Sequence, residues 1–179
     1  MNYTSLSKEI SYALRHAPHE YGLCLDEQGW VSVEVLVSIL KKQEKFNTLS
    51  VDDIEKMIYQ SEKKRHQMLD GKIRALYGHS LNEKVVKEPV KPPNTLYHGT
   101  ARKFVENILT VGLISKDRQY VHLSEDVSTA TVVGKRRDGN PVVLRINAEQ
   151  AWADGIKFYH GNEDIWLADN IPIEYISLQ

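Results

Sequence analysis

Two short runs bring a histidine and a hydroxyl residue to the end of an apolar segment. They are Leu96-Tyr97-His98-Gly99-Thr100 and Tyr120-Val121-His122-Leu123-Ser124. Both are built from strand-forming residues. An imidazole beside a glycine sits next to backbone that carries no side chain, which suits a flat ligand with hydroxyls such as a ribose. One such run alone reads as a strand end with a satisfied histidine. Two runs joined by one short helix point to a shared pocket, and His98, Gly99, Thr100, His122 and Ser124 are its candidate lining. Gly99 is expected to let the ligand approach the backbone.

The second chemistry-bearing group is basic. Arg15-His16 closes a helical segment, Lys63-Lys64-Arg65-His66 precedes a strand, and Lys135-Arg136-Arg137 follows a glycine. A histidine at a helix C-terminus is favoured by the dipole whatever its function, and a basic triplet is most often a solvated surface run. Guanidinium, however, offers phosphate oxygens a bidentate fork. These groups gain meaning only if they converge.

The elements that must position them change character at Pro89-Val90-Lys91-Pro92-Pro93-Asn94, where the prolines exclude helix and stiffen the chain. This divides the sequence into residues 1–88, a linker at 89–95, and residues 96–179. Before the linker, Leu6, Ile10, Ala13 and Leu14 share a helical face, with Ser5 as cap and Pro18 as stop. Asp26-Glu27-Gln28-Gly29 reads as a turn. Val35, Leu36, Ile39 and Leu40 mark a second helix. A third begins at Ser50 with a capping box and turns Ile54, Met57 and Ile58 inward. Asp70-Gly71 between strand-like runs is a hairpin signal. Three helices and a hairpin form the pattern of a winged helix. After the linker the expectation is strand 96–99, helix 101–110, strand 120–123, a helix capped by Ser124 and running to Gly134, then strands at 142–146, 156–158, 165–167 and 173–176. Short strands with interspersed helices imply an α+β domain with a split, curved sheet.

Composition excludes several classes. The chain has 179 residues, 41% hydrophobic and 26% charged, which is ordinary for a globular protein. No apolar run approaches the roughly 20 residues that span a bilayer, and the first residues lack the pattern of a secretion signal. A single cysteine, Cys24, forms no internal disulfide, and a reducing cytoplasm is the expected compartment. Flanked by Leu23 and Leu25, Cys24 reads as a small buried thiol. The seven histidines are scattered, so no metal site is expected. A net charge of −1 leaves no global field for nucleic acid, so any polyanion site must be local.

Seven motifs in order carry a resemblance over nearly the whole chain, from about residue 5 to residue 176. They are Leu14-Arg15-His16-x-Pro18, the Gly29-Trp30 turn, Lys63-Lys64-Arg65, Gly78-His79-Ser80, Leu96-Tyr97-His98-Gly99-Thr100, Val121-His122-Leu123-Ser124 and Val133-Gly134-x-Arg136. The set resembles the RNA 2′-phosphotransferase family, which uses NAD to remove an internal 2′-phosphate from RNA. The resemblance implies an N-terminal winged-helix RNA-binding lobe and a C-terminal ADP-ribosyltransferase-like NAD-binding lobe. It implies a catalytic set of Arg15, His16, Arg65 and Arg136, with NAD held by His98, Gly99, Thr100, His122 and Ser124. Alignment on Gly134 selects Arg136, whereas alignment on Pro141-Val142 selects Arg137; the Gly-x-Arg spacing favours Arg136. ADP-ribosyltransferases commonly place a catalytic glutamate on a later strand, and the matching position here is Ile165, preceded by Glu163 and Asp164.

The implied partners are NAD, consumed as co-substrate, and an RNA bearing a 2′-phosphate, tRNA-like and met in tRNA splicing. No metal, membrane or protein partner is implied. The implied reaction has two steps. The RNA phosphate attacks C1″ of the nicotinamide ribose, and the ribose 2″-OH then attacks phosphorus. The products are 2′-OH RNA, nicotinamide and ADP-ribose 1″,2″-cyclic phosphate. The alternatives are a nucleic-acid-binding regulator that senses NAD or ADP-ribose without turnover, and an ADP-ribosyltransferase acting on protein or on a nucleic-acid terminal phosphate.

Overall fold

The computed structural model describes residues 1–179 and shows two compact units, Met1–Val86 and Lys87–Gln179. The class is α+β, with two sheets whose strand pairs are all antiparallel.

In the first unit, helix α1 (Tyr3–Arg15) buries Leu6, Ile10, Ala13 and Leu14. Its cap is Asn2, whose side chain accepts from the Ser5 amide, rather than Ser5 itself. The helix ends at Arg15 with His16 as C-cap, and Pro18 opens a short 3₁₀ helix, Pro18–Tyr21. The Asp26 turn forms as expected: its Oδ1 accepts from the Gln28 and Trp30 amides. Strand β1 (Val31–Ser32) leads directly into α2 (Val33–Leu40). The buried face of α2 is Val33, Leu36, Val37 and Leu40, and Val35 is exposed. Of the expected Val35, Leu36, Ile39 and Leu40, only Val35 leaves the core, since Ile39 is partly buried and packs against it.

Helix α3 (Val51–Gln60) opens on the full capping box between Ser50 and Asp53 and buries Ile54 and Met57. Strands β2 (His66–Leu69) and β3 (Lys72–Ala75) flank Asp70-Gly71. Both turn residues have positive φ, +48° and +71°, the two-residue turn that Asp-Gly favours. The sheet order is β1-β3-β2. Phe46, Leu49 and Ile73 complete the core beneath the three helices.

Cys24 is exposed. The expectation of a buried thiol fails because the segment is extended: Leu23 points into the core, Leu25 packs partly against it, and the residue between them faces outward.

The second unit holds a six-stranded sheet in the order β7-β8-β5-β4-β6-β9. Its strands are β4 (Thr95–Thr100), β5 (Val121–Ser124), β6 (Val142–Asn147), β7 (Phe158–His160), β8 (Ile165–Ala168) and β9 (Ile176–Leu178). Between β4 and β5 lie a 3₁₀ turn, Arg102–Phe104, and helix α4 (Val105–Val111). Helix α5 (Val127–Gly134) follows β5 and is capped by Asp126, whose Oδ1 accepts from the Thr129 amide. Ser124 is instead the last residue of β5, paired to Tyr97 and Ile165, so the strand ladder claims it before it can cap. Helix α6 (Ala148–Ala153), capped by Asn147, has no counterpart in the sequence reading. One face of the sheet packs Leu96, Leu123, Leu144, Ile146 and Phe158 into a core of its own.

Candidate active site

In the first unit the sequence-distant candidates meet. Arg15 is the last residue of α1, and its carbonyl accepts from the Ser80 amide at 3.0 Å. His16 Nδ1 and Ser80 Oγ are 2.8 Å apart. The Arg15 guanidinium lies 4.9 Å over the Tyr77 ring, a cation–π contact, and packs against Gly78. Gly78 has φ +87°, and a Cβ there would stand 3.5 Å from Arg15 Nη1. Glycine takes that backbone turn without strain, and a Cβ there would be in ordinary contact with the guanidinium. Arg15 Nη2 then donates to the Arg65 carbonyl at 3.3 Å. The Tyr77–Ser80 segment thus wraps the end of α1 and fixes both Arg15 and His16.

Arg65 immediately precedes β2. Its register is held on the other side by Ser11 of α1, whose Oγ lies 3.0 Å from His66 Nε2. His66 is buried, and burial together with the charges of Arg15 and Arg65 pushes its pKa down to about 3. It is therefore neutral at pH 7 and adds no repulsion beside two guanidiniums. Lys64 is not a free surface lysine: its Nζ donates to the carbonyls of Ile58 and Tyr59 at the end of α3. Arg15, His16 and Arg65 line one groove of about 700 Å³. The Arg65 guanidinium faces it without a carboxylate partner. A half-buried guanidinium with no counter-ion is a standing site for an anion.

In the second unit the two histidine runs are neighbouring strands. β4 and β5 pair with Tyr97 opposite Ser124. His98 Nδ1 lies 2.9 Å from the His122 carbonyl, and His122 Nδ1 lies 3.0 Å from the Tyr120 carbonyl. A carbonyl only accepts, so each Nδ1 carries the proton and each Nε2 is an acceptor in the neutral ring. Burial lowers the His98 pKa, which keeps that ring neutral. The neutral His98 ring, its Nδ1 held by the His122 carbonyl, can accept a ligand hydroxyl at Nε2, whereas the His122 Nε2 is buried. Thr100 and Ser124 are buried. Ile165 sits opposite Ser124 on β8, and the Asn162 side chain accepts from the Asp164 and Ile165 amides to shape the turn before it.

Gly99 has a different cause from the expected one. It lies inside β4, not at a turn, and α5 packs directly on it. A Cβ there would overlap the Ala130 carbonyl oxygen and stand 2.6 Å from its carbon. The missing side chain is filled by helix backbone. Gly134, the last residue of α5, is confined less tightly, by Pro141 at 2.7 Å and by Gly99 itself at 3.2 Å. This close seat ends one residue before Lys135, so Arg136 and Arg137 follow a rigid anchor. Both are exposed and neither has a carboxylate partner.

The structure therefore brings Arg15, His16 and Arg65 together in one unit and His98, Gly99, His122 and Ser124 together in the other. Arg136 belongs to the second unit. Sequence reasoning missed Ser11, His66 and Tyr77 as supports. Ser80 lay within a motif that carried the resemblance, but its contact with His16 joins residues 64 positions apart, which no spacing reveals.

A family model described as RNA 2′-phosphotransferase, Tpt1/KptA family, matches residues 2–170. The chain belongs to that family. It is 55% identical to a probable RNA 2′-phosphotransferase of Acetivibrio thermocellus over 179 residues, covering 100% of this chain and 98% of the relative. It is 53% identical to the protein of the same description from Bacillus thuringiensis subsp. konkukian over 176 residues, covering 98% and 95%. A relative from Agrobacterium fabrum is 44% identical over 177 residues, covering 98% and 94%. Membership makes the chain a transferase family member with an RNA substrate, and no helix is long and apolar enough to cross a membrane.

Proposed function

We propose that this chain is an NAD-dependent RNA 2′-phosphotransferase whose phosphate-handling groups are Arg15, His16, Arg65 and Arg136. The observation that carries this reading is the gathering of Arg15, His16 and an uncompensated Arg65 in one groove of a chain from this family. The order of elements in the first unit, α1, β1, α2, α3, β2, β3, supports a winged-helix RNA-binding role for residues 1–88. The paired strands with His98 and His122, and the position of Ile165, support an ADP-ribosyltransferase-like, NAD-binding role for residues 96–179.

In this reading the RNA 2′-phosphate is the nucleophile. A phosphate dianion needs no general base, which accords with an isoleucine where a carboxylate would otherwise activate a hydroxyl. A phosphate oxygen forms the bond to C1″, and the C1″–nitrogen bond breaks to release neutral nicotinamide. The ribose 2″-OH then bonds to phosphorus and loses its proton, while the RNA 2′-oxygen leaves and gains one. Charge that builds on phosphorus is met by guanidiniums, and this reading assigns that task to them rather than to a metal ion. His16 engages Ser80 through Nδ1, which orients the ring and leaves Nε2 to protonate the departing oxygen. His98 holds a ribose hydroxyl through Nε2, with its ring oriented by the His122 carbonyl.

The test is a mixture of the protein, NAD and a 2′-phosphorylated oligoribonucleotide, followed by chromatography for nicotinamide. Release that depends on the 2′-phosphate supports the reading. NAD binding without release contradicts it.

A further inference from the structure

The groove that holds Arg15, His16 and Arg65 is far larger than one phosphate requires. At about 700 Å³ it extends back along α1 as far as Tyr3 and Thr4. From Thr4 to Arg15 the helix rises roughly 16 Å at 1.5 Å per residue. At the ~3.4 Å charge spacing of a stacked strand this admits no more than about five nucleotides.

Its lining departs from the rest of the chain. The protein as a whole carries a net charge of −1. The groove offers Lys8, Arg15, Lys63 and Arg65 against a single acid, Glu62. Between these cations stand the hydroxyls of Ser7, Ser11 and Ser61; Ser11 Oγ already meets His66 and Ser61 Oγ donates to the Met57 carbonyl, which leaves Ser61 an acceptor for a sugar hydroxyl. Tyr12 lies one helical turn before His16. The residue is 42% exposed, its hydroxyl donates to Glu20 Oε1 at 3.0 Å, and its ring makes an edge-to-face pair with Tyr21 at 6.3 Å between centroids. A fixed, exposed aromatic face between cations is a stacking platform for an unpaired base.

We propose that this groove along α1 holds the single-stranded RNA flanking the 2′-phosphate, with a base stacked on Tyr12 and backbone phosphates met by Lys8 and Lys63. The proposal rests on the functional reading above for the identity of the phosphate at Arg65. It adds a substrate requirement: the RNA must extend beyond the phosphorylated nucleotide as a flexible single strand.

The test compares a heptaribonucleotide carrying a 2′-phosphate on its central residue with a 2′-phosphorylated dinucleotide. Affinity is read by fluorescence polarisation without NAD, so it does not depend on turnover. Wild type should bind the heptamer about 10-fold or more tightly than the dinucleotide, the scale of one base stack. Tyr12→Leu should lower that ratio about 5-fold or more, and Tyr12→Phe, which keeps the ring, should restore it. Lys8→Ala with Lys63→Ala should reduce the slope of log affinity against log salt by about 1.4, or 0.7 per lost phosphate contact on a single strand. Lys41→Ala with Lys42→Ala, exposed and outside the groove, should leave both readings as in wild type. Equal affinity for the two RNAs, or a heptamer preference that survives Tyr12→Leu and the Lys8/Lys63 pair, would overturn the groove assignment. Loss of the preference in these variants supports it even if nicotinamide is never released. Absence of release would count against the catalytic reading alone.

Discussion

Gly99→Ala is the substitution whose cost can be worked most directly from the structure. The added methyl would overlap the Ala130 carbonyl oxygen and lie 3.0 Å from the Gly134 amide nitrogen. Both are helix backbone, so no flexible side chain can swing away. Either α5 lifts off β4 or β4 bends out of a ladder that pairs all six of its residues with β6. Overpacking of this kind costs about 3 kcal/mol, the upper end of the usual range. For a chain of this size that is a fall in Tm of roughly 6–12 °C. The matched control is Gly139→Ala, where a Cβ meets nothing within 4 Å and φ is ordinary. It should be neutral or stabilising by up to about 1 kcal/mol, because alanine restricts the unfolded chain. The assay is thermal unfolding followed by circular dichroism for both variants. A Gly99→Ala melt within about 1 °C of wild type would refute the direct seating of α5 on β4, and with it the rigid anchor that precedes Arg136.

Other outcomes follow from the same geometry. Arg65→Lys keeps the charge but loses the fork, and should slow single-turnover phosphate removal at saturating RNA by about 10-fold or more; wild-type rates would reject a transition-state role. Arg65→Ala and Arg136→Ala should let an ADP-ribosylated RNA accumulate as a slower band in rapid-quench gels, because phosphorus gathers charge mainly in the second step; the same band from Arg137→Ala but not Arg136→Ala would reassign the fourth arginine. His66 is neutral when folded down to about pH 3, whereas in the unfolded chain it takes up a proton near pH 6.5. The unfolded state therefore binds more protons between those values, and His66 makes stability fall as pH drops through that window, by up to about 1.4 kcal/mol per unit. Denaturant titrations of wild type and His66→Gln at pH 6.5 and 4.5 should show the wild type losing more; parallel losses would place the ring in contact with water. Activity should persist in EDTA, and a loss reversed by Mg²⁺ would sink the assignment of charge neutralisation to guanidiniums.

Where the sequence was legible, local chemistry and tertiary structure agreed. Ser50 and Asp53 form a capping box that depends only on residues three apart, and Asp70-Gly71 dictates its own turn. The histidine runs were legible as strands because their alternation matches a half-buried ladder. The misreadings share a cause in non-local pairing. Ser124 has cap chemistry, but β4 and β8 hold it in a ladder, and Asp126 caps instead. Ser5 lost its cap to Asn2, three residues upstream, and both have the required chemistry. Val35 has the right apolar character but lies off the buried face of α2. Helix α6 escaped notice because six residues carry too little periodicity to separate a helix from a loop. In the site, residue types and their order were readable. The wrapping of Tyr77–Ser80 around the end of α1 was not, because it depends on contacts more than 60 residues apart.

The central claim is that the RNA 2′-phosphate itself is transferred onto the ADP-ribose of NAD. The most direct measurement labels that phosphate with ³²P and follows it through one turnover with excess enzyme and NAD. The account predicts that the label leaves the RNA and appears in ADP-ribose 1″,2″-cyclic phosphate, one per nicotinamide released. Label recovered as inorganic phosphate, or label retained on the RNA while nicotinamide accumulates, would contradict it.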